Sequence, residues 1–117
     1  MSILKRKLSE SVDGMGILIT ATSTAGTLIH TAVAGTTAGT YDEILLWAQN
    51  NHTEDVDITI EYGDSDASHN IKMSIPCTNG EYSIIPGFIL QNSKTVRIFA
   101  SVANVITIYG FVHSLTD

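Results

Sequence analysis

A chain of 117 residues, 44% apolar and 15% charged, fits one domain that buries roughly two-thirds of its unfolded surface and leaves no room for a second. Its single cysteine, Cys77, excludes an internal disulfide, so the fold must rest on packing and suits a reducing cytoplasm. The net charge of −6 is unevenly spread: Lys5, Arg6 and Lys7 hold three of the six positive charges, leaving three bases against twelve acids in residues 8–117, an acidic body that argues against nucleic acid as partner.

Charge is scarce beside the roughly 25% of an ordinary globular protein, and Thr, Ser, Gly and Asn take its place. That composition suits short strands and weakly charged surfaces that pack against other subunits, so a homo-oligomer or a member of a larger assembly is expected. No apolar run of signal-peptide length follows the N-terminal bases and no segment approaches transmembrane length, so neither secretion nor a membrane partner is expected.

Residues 1–14 lack the alternation of the rest and close on the turn pair Asp13-Gly14. They read as an N-terminal arm, extended or a single helical turn, with Ile3, Leu4 and Leu8 as apolar docking points. Residues 15–117 read as the β domain. Met15–Ala21 and Thr27–Ala34 are apolar, Thr-rich runs of strand character. Tyr41–Tyr62 reads as a strand pair around the polar tip 49–55. Ile44–Ala48 is apolar throughout, as in a strand covered on both faces, and its Trp47 is expected in the core. Val56–Tyr62 alternates, with Asp57, Thr59 and Glu61 on the outer, solvent-facing side.

After the loop 63–69, Asn70–Ile75 alternates again and ends at Pro76. Asn79-Gly80, a strong hairpin signal, is expected to join it to Glu81–Ile85. Pro86-Gly87 is expected to break or turn the chain before Phe88–Leu90. Thr95–Val102 and Val105–His113 read as a final hairpin joined at Ala103-Asn104. Its arms are apolar on both faces, so one face needs a cover beyond the domain core. The count predicts an all-β, single-domain antiparallel β-sandwich of about eight strands, of jelly-roll or related Greek-key type.

Candidate chemistry is sparse. Asp64, Asp66 and Ser68 begin like a calcium loop, but His69 stands at the glycine position and Ile75 at the final glutamate position. His30, His52, His69 and His113 lack zinc spacing, and no phosphate loop or nucleophile elbow occurs. Cys77 reads as a small apolar filler. The tyrosines 41, 62, 82 and 109 with Trp47 are the best candidates for a sugar platform. No catalytic residues, metal or cofactor are expected.

The segments ILLWAQNN at Ile44–Asn51, VDITIEYG at Val56–Gly63, YSIIPGFIL at Tyr82–Leu90 and VRIFASVANVITIYGFV at Val96–Val112 resemble, in their aliphatic strands and Thr/Asn/Gly turns, the small β-sandwich structural proteins of tailed-bacteriophage virions, capsid decoration or cement proteins above all. The resemblance implies a non-enzymatic virion protein, assembled in the host cytoplasm, that binds the major capsid protein or other virion proteins and bridges neighbouring subunits. Fibre, collar and head-tail proteins share the style, and a sugar- or receptor-binding module is the alternative. On this reading the arm contacts its partner through Ile3, Leu4, Lys5, Arg6, Lys7 and Leu8, and the final hairpin faces sister copies through Phe99, Tyr109 and Phe111. Deleting residues 2–13 is expected to weaken particle binding while leaving the domain folded.

Overall fold

The computed structural model describes residues 1–77 and 80–117. Among these, nine strands run β1 (Ser2–Lys7), β2 (Ile17–Leu18), β3 (Thr27–Thr31), β4 (Tyr41–Asn50), β5 (Val56–Gly63), β6 (Asn70–Ile75), β7 (Glu81–Leu90), β8 (Thr95–Ala100) and β9 (Ile106–Thr116), with one 3₁₀ turn at Ala67–His69. They form two antiparallel sheets. Sheet A has the order β1-β9-β4-β7 with β2 also on β9, and sheet B the order β3-β8-β5-β6. This is the expected β-sandwich, with the strand order of a jelly roll.

The connections differ from the sequence reading. Strands β4 and β5, β6 and β7, and β8 and β9 each lie in opposite sheets, so what looked like three hairpins are arches from one sheet to the other. Asn79 lies outside the described residues. The physical reason is burial: each of these strands carries an apolar face that meets its sequence neighbour face to face across the core, a contact the alternating pattern permits as readily as edge-to-edge pairing. At the β4–β5 arch, buried Asn50 donates through Nδ2 to the carbonyls of Glu54 (3.0 Å) and Ile75 (2.8 Å), while its Oδ1 accepts from His52 N–H. The polar tip is therefore built around a buried amide.

Pro86-Gly87 does not break β7. Gly87 and Ile84 are extra residues in the β4–β7 register, since Ile44 faces Phe88 but Leu45 faces Pro86, and Leu46 faces Ile85 but Trp47 faces Ser83. These are bulges on an edge strand, where proline loses no ladder bond and Gly87 takes φ +125°. The core between the sheets is aliphatic: Ile19, Ile29, Ile44, Leu46, Ile58, Ile60, Ile85, Ile98, Ile106 and Ile108 are fully buried. Gly110 lets β9 and β4 approach, because a Cβ there would overlap the Leu45 carbonyl oxygen.

Residues 2–7 of the expected arm are extended and pair with Phe111–Thr116 of β9. The chain then dips inward, burying Leu8 to 1% exposure, and returns to β9 through β2, where Ile17 faces Ile108.

Candidate functional site

Strand alternation divides β4 and β9 cleanly. Ile44, Leu46, Ala48, Ile106, Ile108 and Val112 point into the core, so the residues between them form the outer face of sheet A. Register places this face in rows. Ile3, Leu115 and Tyr41 lie side by side, then Lys5, His113, Glu43 and Ile89, then Lys7, Phe111, Leu45 and Pro86. Tyr109, Trp47 and Ser83 follow, and Leu18, Thr107, Gln49 and Glu81 close the sheet.

The middle of this face is apolar, and it is uncovered within the chain. Ile3 and Ile89 are each 57% exposed, Leu18 is 45% and Tyr109 is 41% exposed. Trp47 stacks on Phe111 with ring centroids 6.0 Å apart, His113 meets the Phe111 edge at 5.3 Å, and Lys5 Nζ lies 4.3 Å from the Phe111 ring centroid. His113 Nδ1 pairs with Glu43 Oε1 at 2.8 Å. Trp47 is thus half-buried on the outside, not in the core. Its position in an apolar run hid this, because a run with no polar residue gives no sign of which side faces inward.

The expected contact residues divide between surfaces. Tyr109 and Phe111 belong to the sheet A face, with Ile3, Lys5 and Lys7 beside them. Phe99 pairs with Thr59 on β5 and lies on the outer face of sheet B, on the opposite side of the sandwich, because β8 and β9 belong to different sheets. Leu4 and Arg6 point to the other side of β1. Leu8 packs in the core of its own domain, so it is no anchor for a partner, and a deletion through residue 13 removes core as well as arm.

A cleft of about 530 Å³ opens under β1, bordered by Arg6 and Lys7, with His30, Asp42 and Ser114 at its floor. The β3 register shifts between Leu28 and His30, so consecutive residues Ile29 and His30 are both buried; this bulge turns the imidazole inward. His30 Nδ1 accepts from Ser9 N–H (2.9 Å), which leaves the ring proton on Nε2, donated to Asp42 Oδ2 at 2.7 Å. Asp42 also accepts from Val33 N–H (3.2 Å) and from the Ser114 hydroxyl. A serine, a histidine and an acid meet here, but the carboxylate sits in the middle. Both imidazole nitrogens are occupied and the hydroxyl points at the acid, so the set ties sheet B to sheet A and aims no base at a nucleophile. Neither its residue types nor their separations in sequence matched a known spacing, so sequence reading missed it.

Glu61, expected to face solvent, is 1% exposed. Its carboxylate accepts from Gly26 N–H at 2.6 Å and from Thr24 Oγ1 at 2.9 Å, because the chain entering β3 folds over the outer face of sheet B and buries what alternation alone leaves outside. Arg97, its cross-strand neighbour, donates to the Gly26 carbonyl at 3.1 Å.

In the acidic loop, Asp64 Oδ1 accepts from Asp66 N–H and pairs with His69 Nδ1 at 2.8 Å, while Asp66 Oδ1 accepts from Ser68 N–H and Oγ. The bonds from His69 and the Asp66 amide hold the Asp64 carboxyl below its ordinary range, and the Asp64 bond raises the His69 imidazole. The carboxylates serve their own turn, and among the described residues no three His, Cys, Asp or Glu side chains converge as a metal site. Neither protein-family models, curated proteins nor solved structures give a match to this chain.

Proposed function

We propose that this chain is a non-enzymatic structural protein of a virion, a capsid decoration or cement protein that binds the assembled shell and bridges neighbouring subunits. The observation that carries the reading is the uncovered outer face of sheet A. A rigid sheet with the aromatic and aliphatic cluster Tyr41, Leu45, Trp47, Tyr109, Phe111 and Leu115 at the middle of its outer surface, and charges balanced in sign around it, has the character of a protein interface. The strand order supports it by analogy of fold alone, since jelly rolls recur in viral capsid domains as well as in lectins and cupins. Strand β1 adds Ile3, Leu4, Lys5, Arg6 and Lys7, all exposed, as a basic and apolar margin suited to an acidic partner surface. A protein that binds only the assembled shell stabilises it by mass action.

The test is immunogold labelling, with antibody against this chain, of virions purified from cultures that produce it. Label spread over the shell supports decoration, label confined to the tail or collar assigns it there, and unlabelled particles reject the reading. The alternative, a sugar-binding module, draws on the gathering of Tyr41, Trp47 and Tyr109 on one face. Their neighbours include Leu45, Pro86, Phe111 and Leu115 as well as the polar Glu43, Gln49, Ser83 and Thr107; the spread of apolar side chains over all four strands favours protein as the occupant.

A further inference from the structure

We infer that the outer face of sheet A is covered by a second copy of the same chain, in a two-fold dimer that packs sheet A of one protomer face to face on sheet A of the other. The inference rests on the proposed role of this face in protein contact and names its occupant, which leaves the exposed Leu4 and Arg6, on the other side of β1, to meet the shell. Charge is the first reason. The chain carries −6 overall, so most ways of bringing two copies together meet repulsion. The outer face of sheet A holds two lysines, Lys5 and Lys7, and two acids, Glu43 and Glu81, and is formally neutral.

The arrangement of those charges is the second reason. The lysines stand on β1 at one edge, and the acids on β4 and β7 toward the other. A two-fold axis parallel to the strands and passing between β9 and β4 keeps each residue in its row and lays β1 and β2 of each copy over β7 of the other, so Lys5 meets Ile89, Lys7 meets Pro86 and Leu18 meets Glu81, and no like charges face each other. The same axis brings His113 of each copy opposite Glu43 of the other, and the Trp47–Phe111 stacks against each other at the centre. Such an interface is isologous, using one patch twice, and aligned sheet-on-sheet packing is the geometry the domain core already uses.

Area is the third reason. Four strands about 4.8 Å apart and five rows about 6.8 Å apart span roughly 19 by 34 Å, or about 650 Å² per copy. Two such faces bury about 1,300 Å², inside the range of roughly 1,200–2,000 Å² for specific stable interfaces.

Sedimentation equilibrium of the full chain tests this, with Tyr109→Lys and Ile89→Asp as exposed face variants and Asp57→Asn on sheet B as control. The expected result is twice the 12.6 kDa chain mass for the wild type and the control. Each face variant should fall to the single-chain mass with its circular dichroism and thermal midpoint retained. A wild type monomeric at about 100 µM, a range in which specific interfaces of this size associate, overturns the inference. So does a dimer that survives both face variants, or a trimer. A monomeric wild type whose binding to a glycan array is lost in Tyr109→Lys assigns the face to sugar instead. A monomer that still labels virion shells refutes the dimer while leaving the decoration role intact.

Discussion

His30 on β3 and Asp42 on β4 join the two sheets through a 2.7 Å hydrogen bond at buried positions, and Asp42 gathers two further donors, Val33 N–H and Ser114 Oγ. Replacing Asp42 by alanine strands three donors at once, two of them buried. The expected loss is about 3 kcal/mol or more, the range for removing one partner of a buried hydrogen-bonded set. Asp42→Asn should cost less but remain clearly destabilising, since one amide oxygen must serve three donors. Urea denaturation reads both; a change below about 1 kcal/mol for Asp42→Ala removes the network from the fold's main supports.

Leu8 and Ile3 stand five residues apart with opposite environments. Leu8→Ala is expected to cost about 2–5 kcal/mol as a core truncation, while Ile3→Ala should stay within about 0.5 kcal/mol in stability. Deleting residues 2–7 should leave the fold standing with the β9 edge uncovered, whereas deletion through residue 13 should lower the midpoint steeply. Equal effects of the two point variants would show that the chain does not dip into the core after β1.

Gly110→Ala places a Cβ on the Leu45 carbonyl oxygen, backbone against backbone, with no flexible atom to yield. It should cost about 3 kcal/mol or prevent folding, at the upper end for overpacking. Gly35→Ala, at φ +104° with nothing near the added carbon, should pay only the backbone strain of about 1–3 kcal/mol and still fold. Thermal midpoints of the two variants compare them directly.

The Asp64–His69 pair makes the β5–β6 loop sensitive to pH. His69 is raised, so its contribution is present below the ordinary imidazole value and is lost as pH climbs through its raised value. Asp64 is lowered, so its contribution is present above the ordinary carboxyl value and is lost as pH falls through its lowered value. Loop order is therefore greatest from about pH 4 to about pH 6.5. An NMR titration of the His69 ring should give a midpoint above the ordinary one that returns toward it in Asp64→Asn. An unshifted wild-type ring contradicts the pairing.

Period-two alternation in Val56–Ile60 and Asn70–Ile75, with turn residues at short intervals and too little helical periodicity to compete, determined an all-β sandwich from the sequence itself. It also separated the inward Ile106, Ile108 and Val112 from the outward Tyr109 and Phe111, because a residue's parity along a strand is a local property. Which strands pair is not local. The same pattern serves a hairpin or an arch, so the assignment of β4 and β5, and of β8 and β9, to opposite sheets came from packing, and with it the separation of Phe99 from Tyr109. Three features were likewise decided only by the tertiary fold: the bulge that buries His30, the overlying chain that buries Glu61, and the gathering of Trp47, Phe111 and Tyr109 on one uncovered face. Each depends on a contact between segments far apart in the chain, where burial and hydrogen-bond satisfaction override alternation.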